Sequence, residues 1–174
     1  KRFTSGTARL HSAYGFNFLY AERLTPSLVE HAVTAWPNVD GIGWPSWAFS
    51  NHDAPRAVTR WASSEQREAM ARMTMLLLAC LRGNIFIYQG EELGLPQAEI
   101  AFDQLCDPEA IANWPLTLGR DGARTQMPWR QHMPERTAIM AKSWLPVAVE
   151  HLPLAVDAQE SDDSSQLAYT RRVL

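Results

Sequence analysis

The feature that most constrains the fold is a long helical pattern followed directly by a short apolar run. Residues 63–66, Ser-Ser-Glu-Gln, have the spacing of a capping box, and apolar residues dominate over 69–81. Arg82 lies in the expected last turn and Gly83 follows it, which predicts the end of the helix. The run Ile-Phe-Ile-Tyr at 85–88 is typical of a strand buried on both faces of a parallel sheet.

The rest of the chain repeats this alternation of strand and helix patterns. Thr25 and Pro26 have the residue types of a helix N-cap and first helical position, and Asp162, Asp163 or Ser164 is expected to cap the last helix. The further predicted elements are a strand at 10–19, a helix at 26–36, a loop at 37–45, a strand at 46–50, an irregular region at 97–135 and a helix at 166–174. Strand–helix alternation predicts an α/β fold with a parallel sheet.

Length and charge exclude several classes of protein. The chain has 174 residues, which fits one domain, and its 16 basic and 19 acidic side chains are mixed along it, with a net charge of −3. This pattern gives no support for a nucleic-acid partner. The longest apolar run, 73–81, is too short to span a membrane, so we expect no membrane partner.

The cysteines and the ends of the chain bear on its location and completeness. Cys80, expected on the apolar face of a helix, and Cys106, expected in a loop, lack the spacing of metal ligands. They predict free thiols in a reducing compartment, and no signal-peptide pattern is present, so we expect a cytoplasmic protein. The chain begins without Met and ends inside a helical pattern, so we expect it to be part of a longer protein.

Polar side chains follow two of the predicted strands at the point where each strand ends. Ser-Asn-His-Asp-Ala-Pro-Arg at 50–56 follows one, and Gln-Gly-Glu-Glu-Leu-Gly-Leu-Pro at 89–96 follows the other. The carboxyl ends of parallel strands build the sites of α/β proteins, so both segments are candidates. A zinc site is not indicated, because the histidines lack the spacing of metal ligands. A nucleophilic serine is not indicated either, because the sequence contains no G-x-S-x-G motif.

Each of these residues also has a purely structural interpretation. Asp53 has the residue type of a helix N-cap, with Pro55 soon after it. His52 is compatible with a buried, hydrogen-bonded histidine, and Arg56 with an ion pair to Asp53. The adjacent residues Glu91 and Glu92 are more typical of loop anchors than of a catalytic pair.

Tryptophan is abundant, with seven residues in 174. Several lie beside Pro or polar residues, a setting that suits sugar binding, although packing is the commoner role of a tryptophan. These residues are Trp44, Trp47, Trp114 and Trp129.

Four segments together resemble glycoside hydrolase family 13, the α-amylase family. SNHDAPR (50–56) resembles the segment at the family's seventh strand, and IFIYQGEELGLP (85–96) resembles its eighth strand and following turn. GRDGARTQMPW (119–129) is similar to the GRDGxRTPMPW segment of the α-glucosidase and oligo-1,6-glucosidase branch, and RLHSAYGFNFL (9–19) resembles the sixth strand. The segments occur in order with compatible spacing, and the resemblance covers essentially the whole chain.

The resemblance implies a fold, namely the C-terminal part of a (β/α)8 barrel, about strands 6 to 8 with their helices. Residues 1–174 would be a partial catalytic domain that lacks the N-terminal strands and the following C-terminal β domain. In this family the attacking carboxylate follows the fourth strand and the proton-donating carboxylic acid follows the fifth. Neither segment is present, so the chain alone is expected to be inactive and to need the missing part of the barrel as its partner.

The resemblance also assigns roles to residues of this chain. Asp53 would be the third catalytic carboxylate, which binds the 2- and 3-hydroxyls of glucose, and His52 would donate to the same hydroxyls. Arg124 would line the closed end of the pocket and bind substrate, and Arg56 would border it. Asn51, Gln89, Glu91 and Glu92 are expected to be scaffold. No metal or other cofactor is implied by the matched segments.

The expected activity of the intact protein is retaining hydrolysis of terminal α-linked glucose from short oligosaccharides or α-glucosides. A sucrose- or maltose-active glucosyltransferase or isomerase of the same family, and a non-catalytic amylase-like subunit, remain alternatives. One departure from the family pattern is Gln126, which stands where the family usually has Pro. The absence of Pro loosens the loop but removes no chemical group.

Overall fold

A computed structural model describes residues 3–36, 43–132 and 143–174. The strands are β1 (Ser12–Gly15), β2 (Trp44–Ala48) and β3 (Asn84–Phe86). The helices are α1 (Pro26–Thr34), α2 (Ala57–Trp61), α3 (Arg67–Cys80), α4 (Pro108–Ala112), α5 (Val156–Glu160) and α6 (Gln166–Val173). Short 3-10 turns occur at Ser64–Gln66, Glu91–Leu93, Phe102–Gln104, Asp121–Ala123 and Val149–Leu154.

The three strands form a parallel sheet in the order β1-β2-β3. Ser12 pairs with Trp44, and Ser46 pairs with Asn84, so each strand lies beside the next one in the chain. This confirms the predicted α/β fold with a parallel sheet. The carboxyl ends of all three strands therefore lie at one edge, which is where the polar segments begin.

The strands are shorter than predicted or displaced from the predicted positions. The strand predicted at 10–19 is restricted to β1, because Leu19 N donates to Phe16 O and turns the chain beyond Gly15. The strand predicted at 46–50 begins and ends two residues earlier, as β2. Residues 85–88 are not buried on both faces as predicted: β3 is three residues long and Phe86 is 52% exposed. Among the described residues β3 pairs only with β2, which leaves its other edge open.

The main core lies between the sheet and helices α1 and α3. Phe18, Trp47, Phe49 and Leu78 are all almost fully buried, and the Phe18 ring packs edge-on against Trp47 and Phe49. Trp47 Nε1 donates to Arg82 O at 2.9 Å, so the largest core residue is fully hydrogen-bonded. Since each buried aromatic contributes about 2 kcal/mol or more of burial free energy, this cluster anchors the sheet.

Gly83 lets the chain pass from α3 into β3 close to β2. Its φ is +140°, and a Cβ at this position would lie 2.4 Å from Pro45 O. Both the conformation and the close approach require glycine, as the sequence indicated for a residue just beyond a helix.

The helix starts are only partly as predicted. Thr25 Oγ1 accepts from Leu28 N at 3.2 Å, which confirms the cap of α1. The predicted capping box is wrong: Ser63 Oγ makes a 3.4 Å contact with the Gln66 side chain, and a 3-10 turn precedes α3. The last helix, α6, is capped by Ser165 and not by residues 162–164. The predicted loop residues 37–42 and the end of the irregular region, 133–135, lie outside the described residues.

The C-terminal helices α5 and α6 hold the turn after β3. Gln159 donates through Nε2 to Leu93 O at 2.9 Å and accepts from Leu167 N at 2.9 Å. Thr170 Oγ1 donates to Glu92 O at 3.2 Å, so α6 also holds this turn. Within the described residues, no helix has the length and apolar character needed to cross a bilayer.

Candidate functional site

The segment after β2 leaves the sheet through a turn built by Asn51. Asn51 Oδ1 accepts from Asp53 N and from Ala54 N, both at 2.9 Å. Helix α2 begins at Ala57, whose N–H donates to Ser50 Oγ at 2.9 Å. Asp53 is therefore not the helix N-cap that its residue type allowed, and its carboxylate points away from the helix start.

Three donors surround the Asp53 carboxylate. His52 Nε2 lies 3.3 Å from Oδ2, Arg124 Nη2 lies 2.9 Å from Oδ1, and Arg120 Nη1 lies 3.8 Å from Oδ1. The Asp53 side chain is 41% exposed and that of His52 is 66% exposed, so the buried-histidine interpretation is wrong. The structure thus brings Asp53, His52 and Arg124 together at the surface, as the sequence predicted.

Two sets of hydrogen bonds fix Arg124, one through its side chain and one through the backbone carbonyl of the residue before it. Its Nε donates to His52 O at 2.7 Å, which ties it to the end of β2. The carbonyl of the preceding residue, Ala123, accepts from Tyr88 Oη at 2.9 Å and from Gln89 Nε2 at 3.4 Å. Residues after β3 therefore position the arginine that contacts the residues after β2.

Arg56 lies beneath the exposed cluster. It is 1% exposed, its Nη1 donates to Gln89 O at 2.7 Å, and its guanidinium lies over the Tyr88 ring at 5.4 Å. The backbone N–H of Arg56 donates to Gln97 Oε1 at 3.0 Å. Burial lowers the pKa of the Arg56 guanidinium. The alternative interpretation, an ion pair of Arg56 with Asp53, is therefore wrong. These contacts favour a supporting role, and substrate contact by Arg56 stays a prediction.

The two glutamates after β3 are loop anchors. Glu91 Oε2 accepts from Tyr88 N at 2.8 Å, and Glu92 Oε2 accepts from Gly90 N at 2.7 Å. Burial raises the pKa of Glu91 to about 7. Gly90 completes the turn with φ +90°, a conformation that favours glycine. The scaffold interpretation of Glu91 and Glu92 is confirmed.

Sequence reasoning missed Arg120 and its support. Its guanidinium donates through Nε and Nη2 to the Asp107 carboxylate, at 3.0 and 2.5 Å, while Nη1 faces Asp53. Asp107 is buried, and the guanidinium holds the pKa of its carboxyl at about 2. Asp121, also buried, accepts from Cys106 N at 2.6 Å and Asp107 N at 2.8 Å. The only available signal was a second arginine four residues before Arg124.

The arrangement suits recognition of neutral hydroxyl groups more than bond breaking. Of the carboxylates described here, Asp107 and Asp121 are fully buried and hydrogen-bonded within the chain, whereas Asp53 faces solvent. A solvent-facing carboxylate can accept strong hydrogen bonds from hydroxyl groups. No group of three or more His, Cys, Asp or Glu side chains that would suit a metal ion occurs within the described ranges.

Comparisons with known proteins agree on one family. Residues 11–174 match the family model described as alpha amylase, catalytic domain. The chain is 43% identical over 173 residues to a probable alpha-glucosidase of Rhizobium meliloti (strain 1021), covering 99% of this chain and 31% of that protein. It is 29% identical to an oligo-1,6-glucosidase of Parageobacillus thermoglucosidasius, covering 84% of this chain and 29% of that protein.

One solved structure matches the chain with a sequence identity close to that of the Rhizobium meliloti protein. The crystal structure of an alpha-glucosyl transfer enzyme superposes with a TM-score of 0.83 at 44% identity, covering 94% of this chain and 30% of the other. The chain therefore spans about a third of the length of the relatives it matches.

Proposed function

Because the chain belongs to the α-amylase family of glycoside hydrolases, we propose that the intact protein is a retaining α-glucosidase. Its substrates would be short oligosaccharides or α-glucosides with a terminal α-linked glucose. The observation that carries the proposal is the exposed Asp53 carboxylate held by His52 and Arg124 at the carboxyl edge of the sheet. The three strands are part of a (β/α)8 barrel, in which this edge carries the active site.

Asp53 acts on the sugar and neither attacks nor protonates the scissile bond. Its carboxylate accepts hydrogen bonds from the 2- and 3-hydroxyls of the glucose unit at the cleavage point. These bonds strengthen as the ring flattens toward an oxocarbenium ion, so they favour the transition state over the bound substrate. His52, 3.3 Å from Asp53, donates to the same hydroxyls.

Arg124 fixes both the carboxylate and the backbone beneath it. Its fork spans Asp53 Oδ1 and His52 O, at 2.9 and 2.7 Å, a two-point contact that a lysine ammonium cannot reproduce. Its exposed side lines the closed end of the glucose pocket. Arg56 supports this wall from below, and Arg120 presents Nη1 to the same pocket.

The 174-residue chain alone is proposed to be inactive. Retaining hydrolysis needs a nucleophile and an acid about 5 Å apart, and Asp53 supplies neither role. In the intact protein these carboxylates come from barrel strands that this chain does not contain.

Glucosyl transfer is the second candidate, because the alpha-glucosyl transfer enzyme is 44% identical over nearly the whole chain. Transfer and sucrose isomerisation use the same glucosyl-binding groups and differ in what accepts the glucosyl group. A non-catalytic subunit is less well supported, since binding alone has no need for Asp53, His52 and Arg124 in one pocket. Exposed free thiols at Cys80 and Cys106 support a reducing, cytoplasmic location.

The test is product analysis with the intact protein on maltose, isomaltose, sucrose and p-nitrophenyl α-glucoside. Glucose released first as the α-anomer in NMR spectra supports retaining hydrolysis, and β-anomer release contradicts it. Transfer products or sucrose isomers in excess of glucose favour the second candidate. The 174-residue chain, checked for folding by circular dichroism, is assayed against its Asp53→Ala variant, and turnover above that control contradicts the proposed inactivity.

A further inference from the structure

A short segment after the β3 turn, residues 96–99, is bonded to two other parts of the chain through its backbone. Gln97 N donates to Thr59 Oγ1 at 2.8 Å, which fastens the segment to α2. Ala98 N donates to Gly122 O at 3.1 Å. The segment, called the strap below, therefore joins α2 to the loop that carries Gly122.

The Gln97 side chain extends this connection to the residues after β2. It is 8% exposed, and its Oε1 accepts from Arg56 N at 3.0 Å, three residues beyond Asp53. Its amide nitrogen is packed against Gly122, where a Cβ would lie 2.7 Å from Nε2. Gly122 precedes Arg124 by two residues. One buried side chain thus contacts both segments that supply the exposed cluster.

These two segments meet at the contact between Asp53 and Arg124, whose Oδ1 and Nη2 atoms lie 2.9 Å apart. The contact depends on both backbones, because Arg124 Nε also donates to His52 O at 2.7 Å. Arg56 is 1% exposed, so its N–H would be buried without an acceptor if Gln97 Oε1 were removed. A buried unpaired N–H is costly, and its loss of a partner favours a shift of the chain beside Asp53.

We propose that Gln97 is a positioning residue, which fixes the separation of the Asp53 carboxylate and the Arg124 guanidinium without touching the sugar. The inference rests on the proposed function, in which these two groups bind the terminal glucose unit. Asp53 would bind this unit most strongly in the transition state. A small displacement of its carboxylate is therefore expected to reduce turnover more than substrate binding.

Gln97→Met in the intact protein removes the acceptor oxygen and keeps the length of the side chain. It is expected to lower kcat for p-nitrophenyl α-glucoside at least about tenfold, while KM stays within about twofold. Gln166→Met is the matched control, because Gln166 is also buried, at 7% exposed, but its Nε2 donates to Ala71 O of α3. This control is expected to keep kcat within about twofold.

A double-mutant cycle tests whether Gln97 acts through Asp53. In the Asp53→Asn background, Gln97→Met is expected to change kcat/KM by less than about twofold, since the carboxylate that it positions is already lost. Thr59→Val removes the acceptor of Gln97 N and keeps the test valid if Gln97→Met fails to fold. It is expected to lower kcat at least about threefold, again only while Asp53 is present.

The crystal structure of the intact Gln97→Met protein, or of Thr59→Val in its place, gives a measurement that needs no activity. The Asp53 Oδ1–Arg124 Nη2 separation is expected to lengthen beyond about 3.5 Å, the limit of a hydrogen bond. An unchanged separation overturns the positioning role, and so does an equal loss of kcat/KM with and without the Asp53 carboxylate. A lengthened separation in a protein whose wild type has no glucosidase activity supports the positioning role and contradicts the proposed function.

Discussion

The ends of β2 and β3 lie side by side at one edge of the sheet, yet they use their carboxylates in opposite ways. After β2, Asp53 is 41% exposed, and within the described residues its carboxylate is approached by the side chains of His52, Arg120 and Arg124. After β3, Glu91 and Glu92 turn back to accept from the backbone N–H groups of Tyr88 and Gly90. The first strand end exposes its carboxylate to solvent. The second uses its carboxylates as hydrogen-bond acceptors for the backbone of the turn.

The two strand ends differ in which side chain accepts hydrogen bonds from the backbone N–H groups of the turn. After β2 the neutral Asn51 side chain accepts from two backbone N–H groups, which leaves the next carboxylate free. After β3 the carboxylates themselves do this work, and the fixed turn then positions Ala123 O through Tyr88 and Gln89. A polar residue at a strand end is therefore a site candidate only when the backbone beside it is satisfied by another group.

The largest effect is expected at Asp53. Asp53→Asn in the intact protein is expected to lower kcat by about 10³-fold, because an amide cannot offer a charged acceptor to the distorted sugar. The thermal midpoint should change by less than about 2 °C, since the side chain is exposed and no backbone group depends on it. Asp103→Asn, at an exposed aspartate without a role in the cluster, is the control. Unchanged kcat with a lowered midpoint would assign Asp53 to the structural class of Glu91.

Asp107 extends the comparison to a carboxylate that is fully buried. Asp107→Asn is expected to lower the free energy of unfolding by about 3 kcal/mol, because one amide group cannot replace two oxygens that accept from Arg120 N, Nε and Nη2. Calorimetry of the intact protein measures the drop in midpoint, with Asp103→Asn again as control.

The pH dependence of that effect follows from the lowered pKa. The Asp107 carboxyl has a pKa of about 2 in the folded protein, against 3.8 ordinarily. Its stabilisation is therefore present above about pH 4 and is lost as pH falls through about 2. A difference between wild type and Asp107→Asn that stays constant down to pH 2 would contradict the ion-pair account.

Helices α1, α3 and α6 and the site at Asp53 were predictable because their signals are local, whereas α4 and α5 lie in segments for which no helix was predicted. Thr25 with Pro26 marks a helix start, and a polar segment directly after an apolar strand predicts a site at Asp53. The buried position of Arg56 was not predictable, since charged residues are normally exposed and its acceptor, Gln89 O, lies 33 residues away in the chain.

The segment 97–132, which was predicted to be irregular, differs most from the prediction, because it contains helix α4 and two 3-10 turns. Asp107 and Arg120 meet across 13 residues that have no helical or strand period, so no pattern indicates the pair. Cys80 was expected on the apolar face of α3 but is exposed at the helix end. In each case tertiary contacts, and not local spacing, decide where the side chain lies.

Glu91 is expected to make the stability of the protein depend on pH. Its pKa is raised to about 7 from 4.5, so the folded protein holds its proton more tightly than the unfolded chain does. The stability that the protonated Glu91 carboxyl contributes is fully present below about pH 4.5, and it is lost as pH rises through about 7. Relative to Glu91→Gln, whose amide oxygen can still accept from Tyr88 N, wild type is expected to lose about 2 kcal/mol of stability between pH 5 and pH 8.

Thermal midpoints of both proteins across this pH range measure the effect, and Glu22→Gln, at an exposed glutamate, is the matched control. Parallel curves for wild type and Glu91→Gln would show that the Glu91 carboxylate is not buried in the intact protein.

The smallest effect is expected at Gln126, which tests whether the end of β3 alone fixes Arg124. Gln126→Pro removes an exposed hydrogen bond from Nε2 to Ser143 Oγ at 2.7 Å and restricts the unfolded chain. The loss is worth about 0.5–1.5 kcal/mol and the gain about 0.4–1 kcal/mol, so the midpoint should move by less than about 2 °C. With Ala123 O already held by Tyr88 and Gln89, the kcat/KM for p-nitrophenyl α-glucoside should stay within about twofold. A tenfold rise in Gln126→Pro, absent from Gln126→Ala, would show that backbone stiffness after Arg124, and not the β3 turn, limits the site.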